Sequence, residues 1–170
     1  AVHWQKEYYY AVFMNNLTLG GPMWQKPRHR RRNRRTESQV VRLPGFGPTI
    51  TFDYNGVGMY DDSFRGLIGE HGYFEDLEGL KRLTGGEHTI VVGPDVFAAD
   101  VPCPYAPVRD WDTPDLRLAL GSVAVDAASP LPNINDQFNG SAPDIGAYET
   151  GQPLPHYGPR PRGVDESTEL

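Results

Sequence analysis

The sequence predicts an all-β fold of short strands, with one short amphipathic helix. Its 170 residues include 19 Gly and 16 Pro, and only 38% of them are hydrophobic. Such a composition favours many short elements separated by turns over long helices. Short apolar runs recur along the chain and end at Asn or Gly, as strands end at turns. The one cysteine excludes an intrachain disulfide, so packing, hydrogen bonds or a bound ion must stabilise the fold.

The first two predicted strands lie near the N-terminus. Tyr8–Met14 is rich in aromatic and branched residues, and Leu17–Leu19 is the next apolar run. Asn15 and Asn16 lie between them. This Asn pair is typical of a corner where amide side chains stack or bond the backbone, and it is equally typical of a hairpin turn. Residues 1–8 lack the basic and then apolar pattern of a signal peptide, so we expect a processed or shortened chain.

A basic segment interrupts the strand pattern at about residues 22–39. Seven of the 16 Lys and Arg residues lie between positions 26 and 35, which leaves nine against the 22 acids of the chain. Like charges at this spacing repel, which predicts an exposed loop outside the core. The loop binds an acidic polysaccharide, binds nucleic acid or is only solvated, and the acidic remainder disfavours nucleic acid. The candidate polyanion-binding residues are Arg28, Arg30, Arg31, Arg32, Arg34 and Arg35.

Three further runs have strand character: Val40–Leu43, Thr49–Tyr54 and Glu87–Val92. Asp53 is either a catalytic carboxylate or a turn-capping side chain beside an Asn-Gly turn, and capping is the commoner role. His88 follows Glu87, but adjacent strand residues point to opposite faces and do not act on one atom. The pattern therefore favours a structural role for His88.

One stretch changes to helical spacing. Between Phe74 and Leu83 apolar residues recur every third position, with acids in the early turns and bases in the last. Gly85 follows as a stop signal. We expect this helix to cover the side or end of the strands and to bury its leucines. The Pro-rich loop 95–113 then carries aromatic residues that either stack on sugar rings or close the core, namely Phe97, Tyr105 and Trp111.

The segment Asp115–Glu149, called the closing segment below, is an end piece. Its two apolar runs, 116–125 and 145–148, surround a loop dense in Asn, Asp, Pro and Gly, which predicts strands joined by ordered turns. It contains three phrases: D-x-R-L-x-x-G-S-x-A-x-D, N-I-N-D and A-P-D-I-G-A-Y-E. Together they resemble the closing coil of secreted right-handed parallel β-helix proteins of the pectate-lyase-like superfamily. The resemblance covers about residues 8–160 and is strongest over residues 115–160.

This resemblance implies the terminal coils of a right-handed parallel β-helix at residues 1–150. Residues 151–170 form an extended Pro-rich exit and an acidic tail. The resemblance also implies an extracellular or cell-surface protein that binds or processes polysaccharide, as a lyase or glycosidase would. In the resembling family the catalytic groups usually lie on central coils, whereas this chain resembles the terminal ones, so the resemblance implies that the catalytic residues lie outside this chain. The sequence also contains no nucleophile-elbow, phosphate-loop or zinc-binding motif. The alternative is a non-enzymatic structural or interaction module of a larger assembly.

Two binding predictions complete this interpretation. Asn133, Asn135 and Asp136 offer the hard oxygen ligands that calcium prefers, although these residue types also hold turns by bonding their own backbone. Terminal coils need a cap, and only seven residues precede Tyr8. We therefore expect Tyr8–Leu19 to contact another polypeptide, either preceding coils of the same parent or a partner subunit. No stretch is long and apolar enough to predict a membrane span.

Overall fold

A computed structural model describes residues 2–3, 10–21, 39–61, 63–69, 72–103 and 114–154, with residues 2–3 described by their backbone. Strands predominate in this part of the chain, and the one α-helix is short, as the all-β prediction requires. The elements, in chain order, are β1 (Val2–His3), β2 (Ala11–Met14), β3 (Leu17–Gly20), β4 (Val41–Leu43), β5 (Ile50–Asp53), β6 (Gly56–Met59), β7 (Gly66–Ile68), β8 (Gly72–Phe74), α1 (Leu77–Thr84) and β9 (Ile90–Val91).

The strands form three sheets, and the parallel pairs in each sheet join strands that are three apart in chain order. β1, β4 and β7 are neighbours in one sheet, β2 pairs with β5, and β3, β6 and β9 form the third. All of these pairs are parallel. In the described part of the chain, the antiparallel ladder is the hairpin of β7 and β8. The chain therefore visits the three sheets in the same order twice, and β9 then returns it from the first sheet to the third.

A buried apolar cluster joins all three sheets. Val41, Phe52 and Val57 belong to it, one from each sheet, and none is more than 1% exposed. Phe13 of β2 stacks on Phe52, its register partner in β5, with ring centroids 5.3 Å apart. Leu80 of α1 is fully buried in the same cluster. The interior is thus a continuous core to which successive strands and the helix each contribute.

The helix begins at Leu77, three residues after the predicted start. The Asp76 side chain caps it by accepting a 2.7 Å hydrogen bond from the Gly79 amide, and Gly85 ends it with a left-handed backbone at φ 69°. Phe74 is buried but belongs to β8, because the cap at Asp76 starts the helix at Leu77. The contacts of α1 with β8 and β5 confirm that the helix covers the strands.

The closing segment packs on the outer face of the third sheet. The register places Thr18 and Val57 on the core face, whereas Leu17, Gly56 and Ile90 face the other way. Ile145 is fully buried there in a second apolar cluster, against Leu17 and Ile90. The closing segment therefore covers the side of the strands, including part of Tyr8–Leu19. The remaining described residues of that stretch include Tyr10 and Val12, which are 83% and 71% exposed.

The predicted strands at 116–125 and 145–148 were wrong. Apart from the isolated bridge between Phe97 and Leu118, the described closing segment consists of turns, bends and irregular backbone. Side-chain carboxylates accept hydrogen bonds from backbone amides of this segment, as the carbonyls of a neighbouring strand would in a sheet. Asp144 accepts hydrogen bonds from the Asp126 amide at 2.8 Å and the Thr150 amide at 2.7 Å. Glu149 accepts two more, from the amides of Asn139 and Asp144.

The strand predicted at Glu87–Val92 is shorter in the structure, where β9 spans Ile90–Val91. Residues 87 and 88 belong to a turn. Among the described helices, none has the length and apolar character needed to cross a bilayer.

Candidate functional site

The third-sheet strands are preceded by a corner at which Asp53 binds His88. Asp53 is the last residue of β5, and its Oδ1 accepts hydrogen bonds from the backbone amides of Tyr54 at 2.9 Å and His88 at 2.8 Å. Its other oxygen, Oδ2, lies 2.8 Å from His88 Nδ1. One carboxylate therefore fixes both the backbone and the ring of His88.

Tyr54 completes the site by stacking on the imidazole. The two ring centroids are 4.2 Å apart and the ring planes differ by 6°. Tyr54 has a left-handed backbone at φ 53°, an unusual conformation for an aromatic residue at the turn into Asn55. The His88 side chain is 57% exposed, compared with 19% for Asp53. We call Asp53, Tyr54 and His88 the His88 platform.

The platform has defined chemical capabilities. Because Nδ1 is directed at the carboxylate, Nε2 is the ring nitrogen left to bind a ligand or exchange a proton with it. The stacked rings also present a flat, partly apolar surface to solvent. A group of this kind can stack on the apolar face of a sugar ring while Nε2 bonds a hydroxyl.

The sequence interpretation treated Asp53 and His88 separately. Asp53 does cap its turn, as predicted, but the structure gives it a second partner 35 residues away. The missed signal is positional: Asp53 ends a second-sheet strand, and His88 stands just before a third-sheet strand of the next round of the chain. If parallel strands stack in register, these two positions meet at one corner. Glu87 takes no part in the contacts of the platform.

Of the two alternatives left open for Asn15 and Asn16, the structure has the corner and not the hairpin turn, because β2 and β3 belong to different sheets. Asn55 is fully buried, and its Oδ1 accepts hydrogen bonds from the Asn16 amide at 3.0 Å and from Asn16 Nδ2 at 3.2 Å. Its Nδ2 donates to the Phe13 carbonyl at 2.8 Å. Asn15 instead joins the closing segment, where it exchanges two hydrogen bonds with the Ser129 backbone. Amide side chains thus connect one round of the chain to the next and to the closing segment.

The oxygens proposed for calcium also bond the backbone. Asn135 Oδ1 accepts from the Leu131 amide at 2.6 Å, and Asp136 Oδ2 accepts from the Asn133 amide at 2.9 Å. These bonds hold a turn, the other role that the sequence allowed. Within the described ranges, no three His, Cys, Asp or Glu side chains gather as a metal site. Calcium at Asn133, Asn135 and Asp136 stays a prediction.

Cys103 is not an activated nucleophile. Burial, followed by the charge of Asp61, raises the pKa of its thiol, so the protonated form dominates at neutral pH. The arginines at 28–35 lie outside the described residues, as do Tyr8, Tyr105 and Trp111. Their predicted roles stay predictions, whereas Phe97 is described and packs against the second apolar cluster.

No family model, curated protein or solved structure matches this chain. The functional interpretation therefore depends on the residues and their geometry.

Proposed function

We propose that this chain is the C-terminal part of an extracellular or cell-surface right-handed parallel β-helix protein of the pectate-lyase-like superfamily, and that it binds polysaccharide. The observation that carries the proposal is the repeated return of the chain to three sheets, in which strands three apart pair parallel and in register. The Asn55–Asn16 bonds at the corner support the same architecture. Handedness and family membership belong to the proposal.

The His88 platform supports polysaccharide as the ligand. A stacked β structure presents a long regular side, along which a linear polymer can lie. The platform adds the exposed imidazole of His88, in which Nδ1 contacts Asp53 and Nε2 is left to bind a ligand. If the arginines at 28–35 contact the same polymer, their charge favours an acidic chain.

The test is binding of polygalacturonate, as an acidic polymer, and arabinogalactan, as a neutral one, to the full chain. We expect His88→Ala to weaken binding about five- to tenfold, the loss that corresponds to one stacking and hydrogen-bonding contact of about 1 kcal/mol. Glu87→Ala is the matched control, because Glu87 is the exposed neighbour outside the platform. It should leave affinity unchanged.

Equal affinities for His88→Ala, Glu87→Ala and the unmodified chain would remove the platform from the proposal. Failure of both polymers to bind the unmodified chain would overturn the polysaccharide function itself. The same samples, assayed for unsaturated products and for new reducing ends, decide between a lyase, a hydrolase and a binding protein.

A second candidate is a structural module of a larger assembly. Tyr10 and Val12 are the observations that favour it, because both are highly exposed at β2, which is an edge strand among the described residues. Parallel stacks bury such surfaces against a further unit of the same kind. Sedimentation of the isolated chain tests this candidate.

A further inference from the structure

A cleft separates the β2–β3 corner from the closing segment. Its volume is about 290 Å³. Leu17 lies on one side, Leu116 and Leu118 lie on the other, and Phe97 contributes an aromatic wall. Small-molecule sites commonly measure about 300–1,000 Å³. The cleft is therefore large enough for one small ring and too small for an oligosaccharide.

Hydrogen bonds fix the two sides of the cleft relative to each other. Asn15 Nδ2 donates to the Ser129 carbonyl at 2.8 Å, and the Ser129 amide donates to Asn15 Oδ1 at 2.9 Å. The Gly146 amide donates to the Asn15 carbonyl at 3.2 Å. A ligand entering the cleft therefore meets walls that are already in place, which lowers the entropic cost of binding.

Among the described residues that line the cleft, none has a charged side chain, and Asn16 is a polar member beside the apolar walls. The Asn16 amide nitrogen is used, because Nδ2 donates to the Met14 carbonyl and to Asn55 Oδ1. Its Oδ1 is an acceptor for which the described residues provide no donor. The described lining suits an amphipathic neutral ring with hydroxyl donors, and it contains no cationic side chain to pair with a carboxylate or a phosphate.

We propose that this cleft binds one neutral sugar residue, with the ring against Phe97 and the leucines and with a hydroxyl donating to Asn16. The choice of a sugar rests on the proposed function, whereas the size and neutrality of the ligand follow from the cleft. The cleft is distinct from the His88 platform, whose residues do not line it.

The test is a titration of the full chain with methyl galactopyranoside and, in parallel, galacturonate, followed by amide NMR shifts. We expect saturable shifts with the neutral glycoside at amides of the cleft, and none there with galacturonate. Ala147→Phe blocks the cleft, because Ala147 lines it and is exposed. It should weaken neutral-sugar binding at least about tenfold. Leu120→Phe is the control, because Leu120 is 88% exposed and lies outside the cleft.

Absence of saturable shifts with the neutral glycoside would overturn the cleft proposal, and so would equal affinities in the two variants. Tighter binding of galacturonate would contradict the neutral-ligand assignment. If the polymer binds through His88 but the neutral glycoside causes no saturable shifts, the polysaccharide function stands and the cleft proposal fails. If the glycoside causes saturable shifts but neither polymer binds, the cleft proposal stands and the polysaccharide function fails.

Discussion

Asp53 shows how one carboxylate can combine structural and chemical roles. Its Oδ1 bonds two backbone amides and its Oδ2 contacts the His88 ring. The first role could be predicted from the sequence, because Asp before an Asn-Gly turn is a frequent cap. The second could not, since it depends on the stacking of strands that lie far apart in the chain.

Asp115 and Arg117 form a second carboxylate site within the D-x-R-L phrase. The Arg117 side chain and then its backbone amide donate hydrogen bonds to Asp115, which lowers the pKa of that carboxyl to about 2. A carboxyl whose pKa falls on folding contributes stability above its unfolded pKa. That contribution is lost as the pH falls towards 2.

We expect Arg117→Gln to raise the pKa of Asp115 towards the ordinary value of about 3.9, because the ionised form loses its cationic donor. An NMR titration of the Asp115 carboxyl carbon measures this shift. Arg82→Gln, on the exposed side of α1, is the control and should leave the Asp115 midpoint in place. Identical midpoints in the Arg117 variant and the unmodified chain would show that the ion pair does not persist in solution.

At the scale of elements, the sequence located the strands with apolar runs but missed those rich in glycine. The Asn-Gly pair predicted a turn at Gly56, yet Gly56 and Gly58 both lie inside β6. The structure explains them by close packing, since a Cβ at Gly58 would lie 1.6 Å from the Val92 carbonyl oxygen. Local propensity does not reveal such contacts, because the neighbouring backbone comes from a later round of the chain.

Asn55 connects successive rounds at the corner, so its removal should be costly. We expect Asn55→Ala to lower the free energy of unfolding by about 1–3 kcal/mol, because buried partners lose their hydrogen bonds. Asn55→Asp is the informative comparison: it keeps an acceptor for the Asn16 amide and loses the donor to the Phe13 carbonyl. Chemical denaturation measures the free energy of unfolding of both variants. An Asn55→Ala variant as stable as the unmodified chain would show that the hydrogen bonds of the corner do not stabilise the fold.

Asp144 has the corresponding role in the closing segment. It is 6% exposed and accepts two backbone amides, so we expect Asp144→Ala to cost about 2–4 kcal/mol of unfolding free energy. Asp136→Ala removes an exposed carboxylate with one backbone bond and should cost less than about 1 kcal/mol. Thermal or urea denaturation distinguishes the two variants. Equal losses would indicate that burial of Asp144 does not matter.

At the scale of the whole molecule, the sequence predicted short strands, one helix and an end piece, but not where the end piece packs. The closing segment lies along the third sheet and reaches Asn15 and Leu17. Alternating positions on β3 explain this placement. They give the sheet a second apolar face, which must be covered from outside. Sequence periodicity alone does not say which segment covers it.

The exposed part of Tyr8–Leu19 leads to the last prediction, that the isolated chain self-associates. Val12 is 71% exposed on β2, which pairs only with β5 among the described residues. Val12→Lys should reduce association, because a charge on an edge strand opposes the addition of another strand. Thr51→Lys is the matched control, since Thr51 is the exposed register partner of Val12 on β5, a strand that α1 contacts. In sedimentation velocity, a single monomeric species of the unmodified chain would contradict the assembly candidate, and equal effects of the two lysines would show that β2 is not the contact.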